Sequence, residues 1–199
     1  MRDDSPIFST IGAARAEGLT DELIDQRVWG RHGTTCAMLA LDSSGMTRIS
    51  RTQGIVHFLG CYMQMRDLVE PILTTRACLA WRSFADNLFA EFHDADTALG
   101  AALEIHRAIR DGGLMLTETE PYRVGIGVGF GRVLEHGNGG VMGDEMNLTA
   151  KLAEDVAEGG QTLLTESAYG SLQNRASVPV ERQQRTLGKI EVSYFQLRA

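Results

Sequence analysis

Thr35–Asp42 reads TCAMLALD and runs straight into Ser43-Ser44-Gly45. A short apolar run that stops on a carboxylate at a Ser/Gly turn is the pattern of a buried strand, so Asp42 is expected at the strand's C-terminal end. Downstream, Arg76–Arg82 (RACLAWR) and Asn87–Phe92 (NLFAEF) are two further apolar runs. The Ser83-Phe84-Ala85-Asp86 link between them predicts a β-hairpin with Asp86 at or near its turn. Between strand and hairpin, Ile55, Phe58, Leu59, Tyr62, Met63 and Val69 recur mostly at helical spacing, and Pro71 is expected to close that helix.

The same reading extends outward. Asp94–Ile109 carries Ala95, Ala98, Leu99, Ala102, Leu103, His106 and Ile109 on one helical face and ends at Gly112-Gly113. Tyr122–Val133 alternates Val124, Ile126, Val128 and Phe130 with glycine or arginine, as a strand does where another backbone approaches closely. The alternation of Gly125, Gly127, Gly129 and Gly131 within the strand is expected to serve close backbone packing, near a dimer interface, rather than a phosphate loop. A turn at Gly137–Gly140, a helix over Glu145–Ala157, a strand over Gln161–Thr165, a helix over Glu166–Leu172 and a strand over Lys189–Leu197 complete the order. This order predicts an α+β fold, a ferredoxin-like βαββαβ core with a C-terminal helix and strand addition. Residues 1–33 are polar and weakly helical, an N-terminal helical extension to a domain spanning 34–199.

Composition narrows the function. Of 199 residues, 43% are hydrophobic and 23% charged, which is globular, and the formal charge of -7 carries no Lys/Arg cluster. A nucleic-acid or anionic-membrane binder is not expected, and an anionic ligand would need local cations or metal. Cys36, Cys61 and Cys78 are odd in number and lack CxxC spacing, so buried thiols in a reducing compartment are expected rather than a disulfide framework or zinc site. No apolar run approaches a membrane span and Met1–Ser5 does not read as a signal peptide, so the expected location is the cytoplasm.

Two carboxylates stand out by position. In a split β-α-β arrangement Asp42 and Asp86 come from neighbouring strands, and two adjacent carboxylates are a usual way to hold Mg²⁺ or Mn²⁺ against phosphates. After Asp42, Ser43, Ser44, Gly45, Met46 and Thr47 lead toward a helix with backbone N–H groups suited to a polyphosphate. His57, His93 and His106 have no metal-binding spacing and read as packing histidines. Met63 and Met65 read as fillers of a core or an interface.

Four motifs in order give a resemblance. Asp42-Ser43-Ser44-Gly45-Met46-Thr47 is similar to the D-x-x-G-F-T segment of class III nucleotidyl cyclases, and Arg82–Phe89 resembles that family's K-x-x-G-D hairpin, in the variant whose turn reads Ala-Asp-Asn. Arg123-Val124-Gly125-Ile126 with Gly129 resembles R-I-G-I-x-x-G, and Gly143–Leu152 resembles G-D-x-V-N-x-A-x-R-L. The ordered set covers most of the chain, from Thr35 to Tyr169.

The resemblance implies a homodimer that cyclises a nucleoside triphosphate, ATP by default, to a 3',5'-cyclic nucleotide and pyrophosphate with two Mg²⁺ or Mn²⁺ ions per site. Asp42, Asp86 and the Ser43 carbonyl match the metal ligands. Asn147 matches the ribose-orienting asparagine. Lys151 stands where an arginine usually meets the transition state, and lysine lacks the guanidinium fork. Arg82 matches the base-reading lysine, and Gly140 stands where an aspartate usually completes that pair. Glu135, His136 or Asn138 are candidates to replace it, which leaves GTP, CTP and UTP open. A cyclase-like dimerisation or nucleotide-binding module without catalysis is the alternative, and the sequence names no regulator.

Overall fold

The computed structural model describes residues 5–136 and 140–198. Two helices, α1 (Pro6–Ala16) and α2 (Asp21–His32), precede the central strand β1 (Gly33–Ser43). Then come α3 (Met46–Thr52), α4 (Ile55–Thr75), the hairpin β2 (Ala80–Phe84) and β3 (Asn87–Phe92), α5 (Ala95–Asp111) and β4 (Val124–Glu135). These form the βαββαβ core, with strand order β2-β3-β1-β4. Beyond it lie β5 (Val141–Met142), α6 (Asp144–Lys151), a π-helical turn (Leu152–Val156), β6 (Thr162–Thr165), α7 (Glu166–Ser171), β7 (Val180–Leu187) and β8 (Ile190–Leu197). They extend the sheet to β2-β3-β1-β4-β6-β8-β7, with β5 paired to β4.

Alternation along β1 sorts its side chains between two layers. Ala37, Leu39 and Leu41 join the main core, which α4 and α5 close with Phe58, Met65, Val69, Ala98 and Ile105. Cys36 and Met38 face the other way, into a smaller cluster with Val133, Val141 and Met146. Asp42 shares the parity of Cys36 and Met38, so it belongs to the face that carries α6. Being buried on both faces is why TCAMLALD reads as a continuous apolar run.

Several expectations need correction. Pro71 lies inside α4, which continues to Thr75 because Ile72 and Leu73 are buried beyond it; their burial offsets the hydrogen bond that proline cannot donate. Gly54, with φ of +92°, separates α4 from the unforeseen α3. Leu103 is exposed on α5, and Ile105 fills the core in its place. The Glu145–Ala157 helix becomes π-helical after Lys151. Met65 is fully buried but Met63 is exposed. Cys36 and Cys61 are buried free thiols, whereas Cys78 is half-buried. The Gly137–Gly140 turn, including Asn138, lies outside the described residues except for Gly140, as do residues 1–4.

Asp94 caps α5, its Oδ1 accepting from the Thr97 N–H at 2.7 Å. Asp94→Ala is expected to cost about 1 kcal/mol, read as a lower urea midpoint at unchanged slope. At the other end of the chain's first layer, Ile7, Ala14, Ile24 and Val28 of α1 and α2 pack with Leu134 and Met142. The Arg132 guanidinium lies 4.4 Å from the centre of the Trp29 ring. No helix among the described residues is long and apolar enough to cross a membrane.

Candidate active site

On the α6 face, cross-strand register sets out a row of sites. Asp42 lies opposite Asn87 of β3 and Gly125 of β4; Ala40 opposite Phe89 and Gly127; Met38 opposite Glu91 and Gly129. The glycines of β4 serve the close backbone packing that their alternation predicts. A Cβ at Gly127 would run into the Thr149 carbonyl, at Gly129 into the Thr149 hydroxyl, and at Gly125 to 3.0 Å from the Ala153 carbonyl. They seat α6 and the π turn of the same chain directly on β4. The rest of this face, over β1, β3 and β2, carries Asp42 and Arg82, with Asp86 in the turn between β2 and β3.

A chain of hydroxyls fixes the turn that bears Asp86. Tyr122 Oη donates to Ser43 Oγ at 2.7 Å, and Ser43 Oγ donates to the Asp86 carbonyl at 3.0 Å. Tyr62 Oη donates to the Asn87 carbonyl at 3.1 Å. Ala85 takes φ of +54°, a left-handed conformation that glycine adopts without the Cβ penalty, so these three anchors hold a turn its own sequence disfavours. Neither tyrosine carries a sequence motif: Tyr62 is a core aromatic of α4, and Tyr122 is buried just ahead of β4.

The electrostatics of the turn are those of crowded anions. Burial, and then Asp86, Glu154 and Asp155, push the Asp42 carboxyl up to about 7. Glu154 is likewise raised, by burial and by Asp155 and Asp86. The π turn delivers these two carboxylates, closed by Ala157 N–H donating to the Leu152 carbonyl at 2.8 Å, five residues back. Asn87 Nδ2 donates to Glu154 Oε1 at 2.9 Å. Asn87 Oδ1, in contrast, is buried with no hydrogen-bond partner among the described residues.

An unanswered acceptor beside mutually repelling carboxylates is a place short of positive charge, and oxygen donors suit a hard divalent ion. The residues present therefore fit Mg²⁺ or Mn²⁺ held by Asp42 and Asp86 with the Ser43 carbonyl. No group of three or more His, Cys, Asp or Glu with metal-holding geometry exists among the described residues. Such an ion would keep coordination positions for water and phosphate, as Mg²⁺ commonly does.

The phosphate candidates divide. Ser44 N–H donates to the Arg123 carbonyl at 3.0 Å and is engaged in closing the strand end. Gly45 caps α3 in the left-handed region, with φ of +93°. Met46 and Thr47 open α3, where first-turn N–H groups have no intrahelical acceptor.

Asn147 and Lys151 sit one turn apart on α6 and line a cavity of about 650 Å³ with Thr165, Glu166, Leu187 and Glu191. Neither Asp42 nor Asp86 lines that cavity. Lys151 Nζ is 3.7 Å from Asp155 in an exposed pair, an interaction weak enough to yield to a phosphate. Arg82 lies opposite Phe89, its guanidinium 5.5 Å from that ring's centre and 3.5 Å from Glu91. Gly140 abuts the guanidinium so closely that any side chain there would displace it. Glu135 is exposed and His136 partly buried at the same strand end. His57 and His106 have packing partners, the Leu116 carbonyl at 2.9 Å and Thr162 Oγ1 at 3.0 Å.

Among solved structures the chain is similar to an adenylate/guanylate cyclase/hydrolase from Silicibacter pomeroyi, with a TM-score of 0.71 at 23% identity over 83% of this chain and 96% of that one. It is similar to the adenylyl cyclase CyaB from P. aeruginosa, with a TM-score of 0.67 at 16% identity over 84% and 96%. A third is the guanylate cyclase domain of RhGC from Catenaria anguillulae in complex with GTP, with a TM-score of 0.65 at 17% identity over 83% and 96%. No family model and no curated protein matches the sequence. The strand order, the helices over both faces and these likenesses agree: the chain has the fold of a class III nucleotidyl cyclase catalytic domain.

Proposed function

We propose that this chain is a nucleotidyl cyclase that converts a nucleoside triphosphate to a 3',5'-cyclic nucleotide and pyrophosphate. The observation that carries the proposal is the juxtaposition of Asp42 and Asp86 at one end of a sheet face, with the Asp42 carboxyl raised to about 7 by its acidic surroundings. Asp42, Asp86 and the Ser43 carbonyl would hold Mg²⁺ or Mn²⁺, which when bound would acidify the ribose 3'-hydroxyl and neutralise phosphate charge. The 3'-hydroxyl loses its proton to solvent as its oxygen attacks the α-phosphorus, the bond to the β-phosphate oxygen breaks, and pyrophosphate leaves. Met46 and Thr47 offer N–H groups to the phosphates, Asn147 orients the ribose, and Lys151 releases Asp155 to meet charge developing on the transferring phosphate.

Because Asn147 and Lys151 line a cavity apart from Asp42 and Asp86, the complete site takes Asn147 and Lys151 from a second copy of the chain. Asp42→Ala and Asn147→Ala are each expected to be inactive alone. Mixed together they regain part of the activity, since one of the two sites in a mixed dimer is intact; mixtures no more active than either variant would exclude a shared site. Residues 34–199 are the catalytic unit, 1–33 its extension, and the enzyme is cytoplasmic.

The adenylyl and guanylyl cyclases among similar structures leave the base open, with ATP the first substrate to try. The pairing of Lys151 with Asp155 favours a second reading, a nucleotide-binding dimerisation module without catalysis. Incubation with Mn²⁺ and, separately, ATP, GTP, CTP and UTP, with products identified by mass spectrometry, separates the two. A cyclic product that Asp42→Ala abolishes supports the cyclase; none from folded, dimeric protein supports the module.

A further inference from the structure

We propose that Tyr122 is a positioning residue for the candidate metal site: acting through Ser43, its hydroxyl stiffens the turn that bears Asp86 and so makes the site favour Mg²⁺ over the larger Ca²⁺. The inference rests on the reading of Asp42, Asp86 and the Ser43 carbonyl as metal ligands, and adds a residue outside that ligand set. The direction of the hydroxyl relay is forced. The Asp86 carbonyl can only accept, so Ser43 Oγ, 3.0 Å away, gives it its one proton. Ser43 Oγ is then left to accept from Tyr122 Oη at 2.7 Å. Tyr122 thereby fixes the direction of the Ser43 proton, which would otherwise be free to rotate. Tyr122 and Ser43 are each 2% exposed, so solvent has little access to replace a lost partner. Tyr122 is itself held in place: its N–H donates to the Leu114 carbonyl at 2.9 Å, and the Arg123 carbonyl beside it accepts from the Ser44 N–H at 3.0 Å.

The turn needs such support. Only Ala85 and Asp86 join β2 to β3, and Ala85 stands at φ of +54°, where a residue with a Cβ does not rest by its own preference. Ser43 follows Asp42 on β1, so one side chain ties the Asp86 backbone to the strand that carries the other aspartate. It does so from behind. Ser43 shares the parity of Leu39 and Leu41, which face the main core, whereas Asp42 belongs to the α6 face. The spacing of the two aspartates is thus set by a relay buried in the core. Mg²⁺ demands near-ideal octahedral geometry at short ligand distances, while Ca²⁺ accepts longer and more varied ones. A stiff pair of ligands therefore discriminates between the two ions, and a loose pair does not.

The test uses the full chain, with Mn²⁺ bound as a probe for electron paramagnetic resonance and displaced in turn by Mg²⁺ and by Ca²⁺. Tyr122→Phe removes one oxygen and keeps the ring. It is expected to lower the ratio of Mg²⁺ to Ca²⁺ affinity by about tenfold, the lower end of what losing a supporting hydrogen bond costs a metal site. The loss should fall on Mg²⁺ and leave Ca²⁺ binding unchanged. Ser43→Ala keeps the backbone carbonyl and should show the same fall. The double variant should lose no more than Ser43→Ala alone, because Tyr122 acts through the serine hydroxyl. Thermal melts in chelator accompany each variant. If Tyr122→Phe lowers the thermal midpoint but leaves the affinity ratio as it was, the hydroxyl serves the fold alone and the proposal is wrong. Losses that simply add in the double variant overturn the relay. A parent chain whose Mn²⁺ binding is untouched by Asp42→Ala overturns the metal-site reading, and this inference with it.

Discussion

Asp42→Asn is expected to lower cyclisation by about three powers of ten or more while making the metal-free protein more stable at pH 8. Both effects have one origin. Asp42 is crowded by Asp86, Glu154 and Asp155 and half-buried, so its carboxyl titrates near 7 rather than at its ordinary 3.8. A carboxyl raised in the folded state contributes stability while it is protonated, fully below the unfolded value, and loses that contribution as the pH rises through about 7. Above 7 the ionised cluster costs folding free energy. Asparagine removes the charge, and with solvent screening discounted the gain is about 1 kcal/mol, or about 2–4 °C in thermal midpoint for a chain of this size.

The same titration makes cation binding release a proton. Affinity for Mn²⁺ should therefore rise between pH 6 and 8 in the parent and lose most of that dependence in Asp42→Asn. Thermal melts at pH 5 and pH 8 in chelator, with Mn²⁺ titrations at the same two values, check the prediction. A variant less stable than the parent at pH 8 would show that Asp42 is held by a favourable contact instead of repelled by its neighbours.

Gly127→Ala is expected to destabilise the fold by about 3 kcal/mol or more, near the upper end of what overpacking costs. The added methyl would meet the Thr149 carbonyl, a backbone atom inside α6, so relief requires lifting the helix from the sheet rather than rotating a side chain. Lifting α6 also moves Asn147 and Lys151, and activity should fall further than the population of unfolded chain accounts for. Gly12→Ala is the control. Nothing lies within 4 Å of a Cβ at that α1 position, and the change should stabilise by about 0.5–1 kcal/mol. Denaturant midpoints of the two variants decide the matter, and a Gly127→Ala midpoint equal to the parent's would mean that α6 is not seated on β4.

The elements that sequence located best are those with a one-dimensional signature. TCAMLALD is apolar throughout because β1 is covered on both faces, and the hairpin stands out because apolar runs flank its turn. The C-terminal edge was missed for the opposite reason: Val180–Leu187 reads VERQQRTL, and a polar strand at the sheet's edge is defined by its pairing with β8 instead of by its pattern. Pro71 misled because a local breaker was weighed without the burial of Ile72 and Leu73 beyond it. The π turn has no sequence signature at all, yet it brings Glu154 and Asp155 to Asp42.

By itself the sequence determined the order of elements, the placing of Asp42 and Asp86 at strand ends, and the spacing of Asn147 and Lys151 on one helix face, because these depend on chain-local periodicity and turn chemistry. Only the tertiary structure decided what surrounds them. Tyr122 and Ser43 anchor the Asp86 turn, Glu154 and Asp155 raise the Asp42 carboxyl, the β4 glycines seat α6 of their own chain, and Glu91 meets Arg82. Burial, cross-strand register and the field of neighbouring charges arise between residues distant in the chain, and they exist only once the sheet has formed.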